Sequence, residues 1–126
     1  MTLSRSAEDY LEAILILRQT KGTVRSADLA RYMGYSKASI SHAVKKLRTD
    51  GFLLIGENKY LCLTDQGRAA AEKIYERHQF FMEQLIAAGV DRETAKQDAC
   101  QIKHAISDIS FQKLKEKVQH VDVYFQ

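Results

Sequence analysis

The chain has 126 residues, of which 45% are hydrophobic and 28% charged, and its formal net charge is +3. Its length allows one compact unit or two small subdomains, and the composition is typical of a globular protein. The longest apolar cluster, AILIL, is too short to span a bilayer, and the charged first residues do not resemble a signal peptide. We therefore expect a cytoplasmic protein that has no membrane partner.

Hydrophobic spacing predicts a first helix over residues 4–19. A second helix is predicted over Ser26–Met33, with Ser26 as its N-cap, and a third from an N-cap at Ser36 to about Thr49. Gly34 breaks the chain between them. Two helices joined by a short turn that contains glycine are typical of a helix-turn-helix.

The next stretch, GFLLIGENKYLCLTDQG, holds two short apolar runs around a Gly-Glu-Asn segment and predicts a β-hairpin. Helices are then expected over residues 64–88 and 91–106, followed by a last helix that carries Phe111, Leu114 and Val118. The predicted fold is mostly α: a winged helix-turn-helix over residues 1–70, with the hairpin as wing, followed by a helical domain over residues 71–126.

The predicted exposed face of the third helix carries hydroxyls and cations. Small hydroxyls near a helix N-terminus can approach phosphates or base edges, and cations neutralise phosphates. Ala38 and His42 are one turn apart and are predicted to contact a thymine methyl and a base edge. A solvated basic face is the alternative, which the hairpin directly after the helix-turn-helix disfavours. The predicted DNA-contacting residues are Ser26, Ser36, Lys37, Ala38, Ser39, Ser41, His42, Lys45, Lys46 and, at the hairpin tip, Lys59.

A second stretch, DACQIKHAISD, places Cys100 and His104 about one helical turn apart, so that the thiol and imidazole share a face. This is half of a site for a soft divalent metal, although Lys103 lies beside the histidine. For Cys100 alone, a small buried side chain is the simpler interpretation. Cys62, on the wing, is predicted to be structural.

Four motifs in this order resemble the diphtheria-toxin-repressor family of metal-dependent transcriptional regulators, which includes the manganese-transport regulators. They are SAEDYLEAILIL, SKASISHAVKKLRTDGFL, YLCLTDQGRAAAEKIYERH and GVDRETAKQDACQIKHAISD. The resemblance implies a homodimer that binds double-stranded operator DNA and represses metal-uptake genes when Fe(II) or Mn(II) is abundant. It also implies that residues 71–126 form a metal-binding and dimerisation domain, in the short form without an SH3-like domain.

The resemblance also implies a set of metal ligands. These are Asp9 and Glu12 on the first helix, His78 on the fourth, and Cys100 and His104 on the fifth. A thiolate with imidazoles favours Fe(II), Co(II), Ni(II) or Zn(II) over Mn(II), which prefers oxygen-rich sites. We predict Fe(II), with Mn(II), Zn(II), Co(II) and Ni(II) as alternatives. A metal that joins these helices would act allosterically by fixing the angle between the two halves, and thereby the spacing of two recognition helices.

This chain departs from the family pattern at several positions. Lys103 replaces the glutamate that precedes the second histidine, and Met82 and Lys96 replace an acid and a histidine of an ancillary site. A protonated lysine does not bind a metal and repels a dication. In one hypothesis Lys103 points outward and one metal binds; in the other its ammonium pairs with Asp9 or Glu12 and no metal is needed.

The dimer interface is predicted to consist of an apolar set, namely Ile102, Ile106, Ile109, Phe80, Phe81 and Leu85.

Two other functions compete with metal control. A redox- or small-molecule-responsive winged-helix regulator is the alternative to metal control. A thiol enzyme that uses Cys100 with His104 is disfavoured, because the chain has no nucleophile-elbow or oxyanion-hole motif. We predict that the protein is not an enzyme.

Overall fold

The computed structural model describes the backbone of residues 3–125 and the side chains of residues 3–119. Within this range the mostly helical prediction with one small hairpin is confirmed, and no helix is both long and apolar enough to cross a membrane. The side chains of the last residues, VDVYFQ, therefore lie outside the described range. The elements are α1 (Arg5–Lys21), α2 (Ser26–Met33), α3 (Lys37–Thr49), β1 (Leu53–Ile55), β2 (Leu61–Leu63), α4 (Asp65–Ala87), α5 (Arg92–Ala105) and α6 (Asp108–Phe125).

Side-chain caps set most of the helix starts. The Ser4 hydroxyl accepts from the Ala7 N–H at 3.0 Å, and the Asp91 carboxylate accepts from the Thr94 N–H at 3.0 Å. Such caps satisfy backbone donors that the helix leaves open. Equivalent bonds are accepted by Ser36 from Ser39, by Thr64 from Gly67 and by Ser107 from Ser110.

The predicted N-cap at Ser26 is wrong. Ser26 is the first residue of α2, and the N-cap position is occupied by Arg25. The Asp28 carboxylate reaches back and accepts from the Arg25 N–H at 2.9 Å. An acid three residues after the N-cap supplies this bond without a hydroxyl at the cap itself.

The chain divides between Glu76 and Arg77 into two compact units, and α4 contributes to both. The predicted boundary after residue 70 lies inside α4 and stays a prediction. The N-terminal unit buries a core drawn from its helices and its hairpin, in which Leu11, Ile14, Leu29, Ile40 and Leu61 are almost wholly enclosed. This core is the rigid support on which α3 and the wing stand.

The wing is an antiparallel pair in which Leu53 faces Leu63, Leu54 faces Cys62 and Ile55 faces Leu61. A 3₁₀ turn over Glu57–Lys59 closes it. Leu53 and Leu61 are buried and anchor the wing, whereas Leu54 and Ile55 are exposed. One face of the wing is therefore anchored in the core, whereas Leu54 on the other face and Ile55 nearer the tip lie in solvent.

Gly67, in the first turn of α4, packs directly against the backbone of Phe52, the residue before β1. A Cβ at this position would lie 2.0 Å from the Phe52 carbonyl oxygen. That separation is far inside van der Waals contact, and the obstructing group is backbone. The close approach of α4 to the start of the wing thus requires glycine.

The C-terminal unit is built around aromatic and polar side chains. Phe80, Phe81 and Phe111 meet edge to face or tilted, with ring centroids 5.1 to 6.0 Å apart. Arg77 is buried beside them, and its guanidinium lies 5.1 Å from the Phe111 ring centroid. The buried aliphatic side chains of α5 are small, namely Ala95 and Ala99.

Candidate DNA interface and metal-ligand residues

Helix α3 has one buried and one exposed face. Ile40, Val44 and Leu47 face the core of the N-terminal unit. The opposite face presents to solvent all the residues of α3 and its N-cap that the sequence predicted to contact DNA: Ser36, Lys37, Ala38, Ser39, Ser41, His42, Lys45 and Lys46. Exposure on one face of one helix is what insertion into a major groove requires.

Some of these side chains already have partners. The Ser36 hydroxyl accepts from the Ser39 N–H at 3.2 Å and lies 3.0 Å from the Ser39 hydroxyl. The Lys46 ammonium lies 3.2 Å from an Asp50 carboxylate oxygen. Contact of Ser36, Ser39 or Lys46 with DNA would therefore exchange an existing bond for a new one, which reduces the net gain.

The remaining predicted DNA-contacting residues lie on α2 and the wing. Ser26 is half-buried at the start of α2, and Lys59 is exposed at the wing tip. Sequence reasoning missed Arg25, whose guanidinium donates to the Asn58 carbonyl at 3.1 Å and covers the Tyr60 ring at 4.8 Å. The only sequence signal for Arg25 was a basic residue one position before the predicted helix.

Two of the predicted metal ligands meet in the C-terminal unit. His78 on α4 and Cys100 on α5 are both half-buried, and the Cys100 sulfur lies 3.8 Å from the His78 Nδ1. Sulfur and imidazole nitrogen are donors that suit Fe(II), Co(II), Ni(II) and Zn(II). The pair supplies two ligands, whereas such ions usually take four or more.

The other three predicted ligands lie on α5 and α1. His104 is half-buried one turn beyond Cys100, Asp9 is half-buried on α1, and Glu12 is buried on α1. Across the part of the chain whose side chains are described, no group of three or more His, Cys, Asp or Glu residues is gathered around one point. The five-residue ligand set therefore stays a prediction.

Lys103 is buried, with only 4% of its surface exposed, which disagrees with the hypothesis in which it points outward. It continues the buried stripe of α5 formed by Ala95 and Ala99, at a spacing of four residues. Burying an ammonium group is costly unless its charge is compensated. The stripe was visible in the sequence, but the two alanines did not mark it as a core face.

Arg77 is a second buried charged side chain of the C-terminal unit, and sequence reasoning missed it. It donates to the Ile106 carbonyl at 2.6 Å and forms an ion pair with Asp108. It thereby satisfies the carbonyl at the end of α5 and holds the start of α6. The junction between these two helices is fixed from α4, one residue before His78.

Two protein-family models match the chain, one in each of its two parts. The model described as the N-terminal DNA-binding domain of iron-dependent repressors matches residues 2–60. The model described as the metal-binding and dimerisation domain of the same repressors matches residues 64–124. The chain belongs to the iron-dependent repressor family, as its motifs predicted, and it is a transcriptional regulator and not an enzyme.

Individual relatives agree with this assignment. A helix-turn-helix-type transcriptional regulator of Methanocaldococcus jannaschii is 31% identical over 118 residues, which cover 90% of this chain and 92% of that protein. The transcriptional regulator MntR of Bacillus subtilis is 31% identical over 117 residues, which cover 93% and 82% of the two chains. Both relatives are thus matched along most of their length.

Solved structures share the fold. A manganese-dependent transcriptional repressor in complex with manganese is 27% identical, with a TM-score of 0.78 over 90% of this chain and 52% of that one. The manganese regulator SloR is 24% identical, with a TM-score of 0.78 over 94% and 55% of the two chains. The chain thus spans about half the length of these two structures, and the SloR match supports the fold alone.

Proposed function

We propose that this regulator represses genes of metal-ion homeostasis by binding operator DNA as a homodimer when it carries a divalent metal. The observation that carries the proposal is the convergence of the Cys100 sulfur and the His78 imidazole at 3.8 Å. The family models support the DNA-binding, metal-binding and dimerisation roles of the two domains. A cytoplasmic location follows from action on DNA and belongs to the proposal.

The DNA-binding part of the proposal rests on the exposed face of α3. Lys37 and Lys45 are exposed and free to approach phosphates, and Lys59 at the wing tip adds a third cation. Ala38 and His42 lie on the same face and are the residues we propose to contact bases. The hydroxyls of Ser36 and Ser39 already bond to each other and serve mainly to hold the start of α3.

The metal proposal takes Asp9, Glu12, His78, Cys100 and His104 as ligands. Of these, the half-buried thiol and imidazole of Cys100 and His78 determine which metals are preferred. They favour Fe(II), with Zn(II), Co(II) and Ni(II) as alternatives. The manganese named in the 27% identical repressor structure supports Mn(II) as a further candidate. A bound ion would supply positive charge that ties these donors together.

A second candidate is a regulator that needs no metal, and the burial of Lys103 favours it. An ammonium held away from water opposes a dication among neighbouring ligands by Coulomb repulsion. In this candidate Lys103 itself provides the positive charge for buried carboxylates such as Glu12, which is 7% exposed. The protein would then bind DNA equally well with and without chelator.

A gel shift separates the two candidates. The probe is a fragment from upstream of the protein's own gene, tested with chelator and with Fe(II), Mn(II), Co(II) and Zn(II) in turn. Metal control predicts that chelator abolishes the shift and that at least one ion restores it. It also predicts that Lys103→Glu binds metal more tightly, because a carboxylate replaces a cation. A shift that ignores chelator in both proteins would exclude metal control.

Cobalt spectroscopy tests the ligand pair directly. Thiolate bound to Co(II) produces a charge-transfer absorption that nitrogen and oxygen ligands do not. We expect this band in the native protein and in Cys62→Ser, and we expect Cys100→Ser to lose it. Cys62 is the matched control, because it is also a half-buried free thiol. A band that survives in Cys100→Ser would remove Cys100 from the ligand set.

A further inference from the structure

The wing of the N-terminal unit is tied to the loop that precedes α2. The backbone N–H of Leu61 donates to the Val24 carbonyl at 2.7 Å. The next residue, Arg25, donates from Nε to the Asn58 carbonyl at 3.1 Å, and its guanidinium lies 4.8 Å from the Tyr60 ring centroid. One arginine therefore contacts the wing on both sides of Lys59.

The backbone at the wing tip is strained. Asn58 and Lys59 have φ angles of 59° and 63°, in the left-handed region that residues other than glycine rarely adopt. The peptide group between them is held at both ends: its carbonyl accepts from Arg25, and its N–H donates to the Gly56 carbonyl at 3.2 Å. Strained backbone persists where surrounding contacts hold it. Arg25 is one of the two groups that hold this peptide.

The other end of Arg25 is fixed at the start of α2. Its backbone N–H donates to the Asp28 carboxylate at 2.9 Å. The same carboxylate forms ion pairs with Lys21 and, at 2.8 Å, with Arg31. The side chain of Arg25 thus extends from an anchored helix start to the wing tip.

We propose that Arg25 is a positioning residue for DNA binding: it holds the wing tip so that Lys59 engages the same duplex as α3. The inference rests on the proposed function, because it needs both α3 and Lys59 to contact DNA. Direct contact of the Arg25 guanidinium with a phosphate is the competing role. The two roles differ in whether the effect of Arg25 depends on Lys59.

A double-mutant cycle distinguishes these roles. The duplex is selected from a randomised pool against the native protein, and binding is measured with the metal that gives the tightest gel shift. Lys59→Gln and Arg25→Gln should each weaken binding about three- to tenfold and reduce the salt dependence by about one phosphate contact. With Arg25 acting through Lys59, the double variant should bind no worse than the weaker single variant.

Independent phosphate contact gives a different result. The losses would then multiply in the double variant, and the salt dependence would fall by two contacts, which would overturn the proposal. No effect of Arg25→Gln, or of Lys59→Gln, would overturn it as well. Tyr60→Leu is a second route to the same wing contact and should reproduce Arg25→Gln, whereas Arg68→Gln, an exposed arginine on α4, should leave affinity unchanged.

One further variant and one further measurement protect the interpretation. Lys45→Gln on α3 should weaken binding whether or not the wing takes part. If Lys45→Gln has an effect and the wing variants have none, only the role of Arg25 fails; if none of them has an effect, the proposed DNA surface fails. Amide hydrogen exchange at Lys59 should be faster in Arg25→Gln, while exchange at Val44 in the core should be unchanged.

Discussion

The two units of this regulator bury different kinds of side chain. The N-terminal unit encloses large aliphatic residues such as Leu11, Ile14 and Leu29 almost completely. In the C-terminal unit the buried side chains include Arg77 and Lys103, and Ile109 is 70% exposed. The first unit has the composition of a self-sufficient core. Both units expose some apolar side chains, but among the described residues only the first encloses large aliphatic ones almost completely. The second is therefore the unit expected to gain more from a second copy of the chain.

The difference agrees with the roles that the family models give to the two domains, DNA binding for the first and metal binding with dimerisation for the second. A DNA-reading surface must be rigid on its own, because α3 and the wing have to meet one duplex together. A metal-binding and dimerisation domain gains part of its stability from its ligand and its partner. The four predictions below test this comparison, from the largest expected effect to the smallest.

Two leucine-to-alanine substitutions, one in each unit, should differ in how much they lower the free energy of unfolding. Leu29→Ala removes a fully buried side chain from α2 and should lower the free energy of unfolding by about 3–4 kcal/mol. Leu114→Ala removes a side chain on α6 that is 40% exposed and should cost less than about 1 kcal/mol. Urea unfolding at low protein concentration measures both. Equal losses would contradict the comparison.

Gly67→Ala should damage the N-terminal unit although alanine is the better helix former. The new Cβ would meet the Phe52 carbonyl at 2.0 Å, and we expect a loss of about 2–3 kcal/mol after the gain in helix propensity. Thermal unfolding provides the measurement. Gln66→Ala, an exposed neighbour, is the control and should change stability by less than about 0.5 kcal/mol. A stabilised Gly67→Ala would disprove the close contact.

Ile109→Asp should act on assembly and not on the fold of one chain. Because the side chain is 70% exposed, its replacement leaves the core of the C-terminal unit intact. If it lies in the predicted dimer interface, a buried carboxylate should weaken dimerisation at least about tenfold in sedimentation experiments. Ser110→Asp places the same charge one residue further along α6. That variant should remain dimeric, and dissociation of both would point to charge repulsion alone.

Asp28→Asn should produce the smallest effect, a loss of stability near neutral pH that disappears as the pH falls towards 2. Ion pairing with Lys21, with help from the Arg25 N–H and Arg31, lowers the pKa of Asp28 from 3.8 to about 2. A lowered folded-state pKa contributes stability above the ordinary pKa, and this contribution is lost as pH falls towards 2. The native protein should therefore lose stability between about pH 4 and pH 2 more steeply than Asp28→Asn. Parallel stability curves for the two proteins would refute this role.

What the sequence predicted correctly was mostly local. The cap at Ser36, the helix start at residue 91 and the hairpin could be recognised because each depends on residues within a few positions of one another. The failure at Ser26 has the same origin, since the Asp28 carboxylate caps the helix start by accepting from the Arg25 N–H, also within three residues. Local rules identify helix starts well but do not decide between two adjacent cap arrangements.

What the sequence missed depends on contacts between distant segments. Arg25 reaches Asn58 across 33 positions, and Arg77 reaches Ile106 across 29. The burial of Lys103 is of the same kind, because the sequence alone did not decide between its two hypotheses. For the candidate site, motifs indicated the meeting of His78 and Cys100, whereas the remaining ligands stay predictions.

The absence of proline, together with the local helix caps, has a consequence for how this protein regains its structure after denaturation. The chain contains no proline, and its helices start at serine, threonine or aspartate groups that find their partners within three residues. Slow isomerisation about prolyl bonds, which delays the refolding of many proteins by tens of seconds, has no substrate here. Any phase on that time scale would instead report the association of two chains.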